Sequence, residues 1–217
     1  MSQTSTHDVT AQGADAIDPR PLAVRALEVF TDLVRQVPDE AWDRGTRGVV
    51  TTSDPSSDPS LRELVGYHAY DDAWIPALLA GRTMAEVGED AFGTPFGGEV
   101  LGDDVKAGFA ATAAAAVAAV RGLDDLERTV HCSFGDFSAR DYLWQVVSFR
   151  GLRAVELARL LGLDEELPAE LVAGMLAYFE VHAEQWRAWG VFGPAVQAPA
   201  GATAQERLLA LTGRAPR

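Results

Sequence analysis

The residues with the most chemistry to offer sit in two short stretches. The first is Tyr67-His68-Ala69-Tyr70-Asp71-Asp72-Ala73-Trp74. On a helix, His68 stands three and four residues before Asp71 and Asp72, so an imidazole and a carboxylate share one face. The second runs from Trp144 through Phe149, Arg150 and Arg153 to Glu156. An arginine pair with Tyr and Trp nearby can hold a carboxylate or similar anion through two parallel N–H bonds. Together the stretches suggest a proton-transfer site: a carboxylate among Asp71, Asp72 and Glu156 as base, Tyr67 as proton donor, and an arginine such as Arg153 as anion clamp. His68, Arg150, Phe149, Trp74 and Trp144 would line the ligand, although tryptophans in helical proteins more often belong to the core.

A structural reading competes with this one. Buried arginines must be paired, and Tyr67, Arg153 and Glu156 with a nearby Asp would make an ordinary ion-pair network. The other donors are sparse. His131 is next to Cys132, but no third residue completes a nucleophilic set. His182 lies near Glu184, and His7 is in the N-terminal tail. The glycines of 93–102 have neither dinucleotide nor P-loop spacing.

The elements that must position these groups read as helices. Residues 1–17 carry no periodicity and are expected to be a disordered tail, followed by one domain over 18–217. Leu22, Leu27, Phe30, Leu33, Val34 and Val37 mark one face of a first helix, ended by Pro38. Residues 43–59 form a loop. Ser60 with Glu63 makes a capping box for a second helix to about Ala80. A glycine-rich loop follows, and Asp103 or Asp104 caps a third helix holding Ala113–Ala119, whose small side chains suit close packing. Thr129–Phe134 is the single hint of a strand. Ser138 with Asp141 opens a fourth helix to Leu161, closed by Gly162. Pro168 fits the first turn of a fifth, and Thr203 with Glu206 caps a short last one. The expected class is all-α, four long helices in a bundle with additional C-terminal helical segments.

Composition narrows the partners. The 217 residues carry 32 acids against 18 bases, a net charge of −14. Such a field repels nucleic acid and anionic membranes. No run of about 18 apolar residues is free of charge, so no membrane span is expected. A lone cysteine, an N-terminus without a basic start or apolar run, and the acidic balance suit a cytoplasmic protein. Lys106 is the only lysine, and the arginine and alanine bias suits a GC-rich genome.

The stretch Leu64–Trp74 resembles the second-helix motif of the DinB-like, mycothiol-dependent maleylpyruvate isomerase superfamily. Arg153-Ala154-Val155-Glu156-Leu157-Ala158-Arg159-Leu160-Leu161-Gly162 is similar to its His-x-x-Asp-Leu-Ala-x-x-x-Gly motif. The ending, Trp186 to Pro194 and Gln205 to Arg214, resembles an actinobacterial branch usually labelled metal-binding. The resemblance implies a four-helix bundle holding zinc or nickel with one His on the second helix and a Glu-x-x-x-His pair on the fourth. Carried over, those ligands fall on Tyr67, Phe149 and Arg153. None binds such a metal, so no cofactor is expected. A rebuilt site would use His68 and Asp72. Three functions remain in view: a protein that has lost the metal and binds a small anionic organic molecule, a metal-independent isomerase, cyclase or thiol transferase, and a metal-dependent thiol transferase or hydrolase with displaced ligands. Related bundles often pair through helix faces, so a homodimer is a further expectation.

Overall fold

The computed structural model of the chain describes residues 16–50 and 56–216. Most of the expected N-terminal tail and part of the 43–59 loop therefore lie outside the described residues. Residues 19–50 and 56–165 cluster as one compact unit, and residues 16–18 and 166–216 as another. Among the described residues there are seven α-helices and one two-stranded sheet, so the chain is mostly helical.

The first unit holds four long helices. Helix α1, Pro19–Arg35, buries Leu22, Ala23, Ala26, Leu27, Phe30 and Val34, which recur every three or four residues along one face. Helix α2, Leu61–Leu79, starts on the expected capping box: the Glu63 amide donates to the Ser60 hydroxyl at 3.2 Å, and the Ser60 amide donates to Glu63 Oε2 at 2.7 Å. Sequence periodicity did not reveal α3, Met84–Val87, one turn set on a Thr83–Glu86 capping box inside the glycine-rich loop.

Helix α4, Val105–Gly122, is capped by Asp104, whose carboxylate accepts from the Ala107 amide at 3.0 Å. Only part of its alanine stretch is packed: Ala113 and Ala116 are buried, whereas Ala114, Ala115 and Ala118 are exposed. By length and composition this helix is apolar enough to cross a membrane, which the sequence reading did not anticipate. Alanine raises its apolar content without adding bulk, and 28% of it is buried. The loop before it runs hard against the helix. A Cβ on Gly108 would sit 2.0 Å from the Leu101 carbonyl oxygen.

Strands β1, Thr129–Cys132, and β2, Gly135–Ser138, pair antiparallel with Val130 opposite Phe137. The strand hint was thus half of a hairpin. Ser138 then caps α5, Ala139–Leu161, by accepting from the Asp141 amide at 3.1 Å, and Gly162 ends it in the left-handed region at φ 69°. Helix α1 packs along α5 and α4, and α2 packs along α4. Phe30 and Phe109 meet at the core with ring centroids 5.5 Å apart.

The second unit contains α6, Ala169–Ala188, and α7, Ala204–Leu211. Pro168 is the residue before the first turn of α6, not part of it; with no N–H to satisfy, it costs the helix nothing there. The Leu167 amide donates to Gln205 Oε1 at 2.8 Å, and Arg187 Nη1 donates to the Leu211 carbonyl at 2.8 Å, tying the two helices together. Phe179, Trp186 and Phe192 form its aromatic core, with centroids 5.0 to 5.2 Å apart.

Candidate functional site

The buried stripe of α2 places His68 and Asp72 one turn apart, and α5 brings Arg150 between them. His68 is 1% exposed, Asp72 0% and Arg150 2%. Arg150 Nε donates to Asp72 Oδ1 at 3.0 Å, and Nη2 donates to the same oxygen at 2.5 Å. Nη2 also donates to the His68 carbonyl at 3.0 Å, and Nη1 to His68 Nδ1 at 2.5 Å. A guanidinium has only donors, so Nδ1 must accept and the ring proton of neutral His68 sits on Nε2. Burial, then the charges of Arg150 and Arg153, push the His68 imidazole well below its ordinary value, so it stays neutral. Burial raises the Asp72 carboxyl against the pull of Arg150, while Asp72 and Asp71 hold Arg150 firmly as a cation. Two polar atoms of this core have no partner: His68 Nε2 and Asp72 Oδ2.

Asp71 stands at the edge of that core. Its Oδ2 is 4.0 Å from Arg150 Nη2, and its side chain keeps 38% of its exposure. Burial pushes the Asp71 carboxyl up to about 7, with Arg150 opposing and Asp72 adding to the shift. Water on its open side relieves part of that push. Three proton-bearing groups feel the Asp71 charge. Tyr67, one helical turn back, has its phenol raised first by Asp71 and then by burial. Burial, Asp136 and Asp71 push the Cys132 thiol up to about 12. Burial and then Cys132 and Asp71 raise the Tyr142 phenol well above its ordinary value. Near neutral pH all three are hydrogen-bond donors. The Tyr67 ring is stacked on Phe96 of the glycine-rich loop, centroids 4.9 Å apart.

The remaining expected residues stand outside the hydrogen-bonded Arg150 core, although the charge of Arg153 reaches His68 and Tyr67. Arg153 pairs with Glu156 on its own helix, so the α2 carboxylates go to Arg150 and not to Arg153. The residues that converge with Asp72 are His68 and Arg150, each one position along its helix from Tyr67 and Phe149. Phe149 is 40% exposed. Trp74 and Trp144, 4% and 1% exposed, are core residues rather than the walls of an open site. Trp74 packs edge-on against Phe92 at 4.8 Å. His131 meets Asp136 on the surface of the hairpin at 2.8 Å.

A divalent metal does not suit this donor set. His68 Nδ1 and Asp72 Oδ1 already serve a guanidinium, whose fixed charge repels a cation. His68 Nε2 carries the ring proton. Among the described residues, no three His, Cys, Asp or Glu side chains gather as a metal site would require.

Sequence reading missed Tyr142 and Cys132. A signal existed for Tyr142, which shares an i, i+4 row with Val146 and Arg150. Cys132 had none, because it reaches Asp71 only through the hairpin. No family model matches the chain, and no curated protein or solved structure matches it.

Proposed function

We propose that helices α1, α2, α4 and α5 form a DinB-like four-helix bundle that has given up the superfamily's metal, and that it binds a small, oxygen-rich, anionic organic molecule beside Asp71 and moves a proton on it. The order and spacing of the helices, with their matching motifs, support the bundle. The observation that carries the chemistry is Asp71, a half-exposed carboxyl whose pKa is pushed up to about 7, held against a locked Arg150–Asp72 pair. A carboxyl poised near the working pH can take a proton and return it.

The groups divide the work. Asp71 is the acid–base residue. Tyr67, Tyr142 and Cys132 present protons toward a ligand oxygen, which favours an anion or a carbonyl that becomes one. Arg150 is buried and commits Nε, both Nη2 donors and one Nη1 donor to Asp72 and His68, so it positions Asp71 and does not grip the ligand. Arg153, its side chain 15% exposed, is paired with Glu156 on its own helix.

The experiment is hydrogen–deuterium exchange at acidic C–H positions of a panel of small keto and hydroxy acids, with the full chain in D2O. Exchange by the wild type that vanishes in Asp71→Asn, with melting temperature retained, supports proton transfer. Binding of a panel member without exchange reduces the proposal to a ligand-binding protein. Exchange that requires added zinc or nickel would replace it with the displaced-ligand enzyme built on His68 and Asp72.

A further inference from the structure

A groove of about 1030 Å³ opens on a different side of α2. Its floor is set by alanines at helical spacing, Ala73 and Ala77 on α2 and Ala111 and Ala115 on α4, whose short side chains leave the space between the helices unfilled. Phe92 and Val100, from the loop between α3 and α4, wall it, and Phe92 is braced edge-on by Trp74. None of Tyr67, His68, Asp71, Asp72 or Arg150 lines it, so the groove and its ligand are independent of the chemistry at Asp71.

The charges along the groove do not balance. Arg82, Asp90 and Glu99 contribute to its lining. Arg82 Nη2 turns to the Glu86 carbonyl at 2.7 Å, and its charge lies near the Glu86 carboxylate. The Glu99 carboxylate accepts from its own backbone amide, from the Thr94 amide at 3.2 Å and from the Thr94 hydroxyl at 3.3 Å, neutral donors that in that order hold it below the usual range and so ionised. Gly93 and Gly97 have no side chain to cover it, since a Cβ on Gly97 would lie 2.1 Å from Glu99 Oε2. Asp90 is exposed. Neither Asp90 nor Glu99 has a cation opposite it among the described ion pairs.

We propose that this groove is a binding site for a small molecule with an apolar body and one positive charge, its body on the alanine floor and its cation between Asp90 and Glu99. Apolar walls with a few placed polar groups are the usual composition of ligand sites, and the volume is at the large end of their range. An anion would meet two uncompensated carboxylates there, and a purely apolar ligand would leave them unanswered.

The test is calorimetric titration of the full chain with benzyltrimethylammonium and with its uncharged isostere neopentylbenzene. The cation should bind at least about fivefold more tightly at low salt, an advantage that shrinks as salt screens the rim charges. Ala111→Leu, on an exposed position, should fill the groove and abolish binding without lowering the melting temperature, and Ala77→Leu provides a second, independent filling. Asp90→Asn should bring the cation and its isostere closer together. Equal affinity for the two probes, or binding that survives both leucine substitutions, overturns the proposal. So does a concentration-dependent dimer that Ala111→Leu dissolves, since the groove would then belong to a second copy of the chain.

Discussion

Arg150 directs both Nε and Nη2 at a single oxygen of Asp72, Oδ1, and leaves Oδ2 buried without a partner. A carboxylate and a guanidinium that met squarely would use both oxygens. Here Nη2 divides its donors between Asp72 and the His68 carbonyl, which rotates the fork away from Oδ2. Arg150 thus holds the backbone of α2 as well as its side chains.

That arrangement predicts an asymmetric mutational response. Arg150→Ala should cost about 3–5 kcal/mol, because Asp72 at 0% exposure would be left as a lone buried charge. The double change Arg150→Met with Asp72→Leu should recover most of it, since an apolar pair of similar volume removes both desolvation penalties. Chemical denaturation of wild type and both variants measures this, and a double variant no more stable than Arg150→Ala would contradict it.

The Asp71 carboxyl gives stability a pH slope of definite sign. Its folded pKa is about 7 against an ordinary 3.8, so between those values the folded protein keeps a proton that the unfolded chain has lost. Stability from this group is complete below pH 3.8 and declines as pH rises to 7. Asp71→Asn removes that decline. Relative to wild type, the variant should gain about 1 kcal/mol between pH 4 and pH 8, less than full linkage because one side of the carboxyl faces water. Denaturant melts across that range, with a carbon NMR titration of the Asp71 carboxyl, decide it.

Much of the helix plan was legible in the sequence, because capping is local chemistry. Ser60–Glu63, Ser138–Asp141 and Thr203–Glu206 each announce a helix start through residues three apart, and Gly162 announces an end. The short α3 was equally marked by Thr83 and Glu86, but a single turn has no apolar period to draw attention to it. The site was less legible. Tyr67, His68, Asp71 and Asp72 stood out by type, yet which arginine they meet depends on the rotation of α5 against α2. A one-residue error turns a helix by about 100°, enough to exchange Arg150 for Phe149, and Arg153 follows less than one turn later. The donors around Asp71 depend on a hairpin packing onto α2, which no spacing within one element encodes.

Gly108 should tolerate nothing larger. Its Cβ position lies 2.0 Å from Leu101 O and 2.6 Å from Leu101 C, backbone atoms that cannot turn aside as a flexible side chain would. On an isolated helix Gly→Ala is favourable by about 1 kcal/mol. Here Gly108→Ala should instead destabilise by about 1–3 kcal/mol through overpacking. Thermal melts of Gly108→Ala beside Gly122→Ala, a position with open space around it, separate the two effects. Equal gains at both positions would mean that the loop does not press on α4.

His68 supplies the opposite pH slope to Asp71, and the two together make a sharper test than either alone. Its imidazole, ordinarily titrating near 6.5, is pushed well below that by burial and by Arg150 and Arg153. The folded protein refuses a proton that the unfolded chain accepts, so this contribution is complete above pH 6.5 and is lost as pH falls below it. Between pH 3.8 and 6.5 the two groups therefore oppose each other, Asp71 favouring the acid side and His68 the neutral side. Wild-type stability should be comparatively flat there. Asp71→Asn should expose the acid loss from His68. His68→Gln, whose side-chain carbonyl can still accept from Arg150 Nη1, should expose the loss from Asp71 as pH rises. The double variant should lose both of these slopes and keep only the decline with rising pH that the raised Asp72 carboxyl supplies. Denaturant melts at pH 4, 5, 6 and 7 read all four profiles, and parallel profiles for the two single variants would mean that His68 is not held neutral by the Arg150 core.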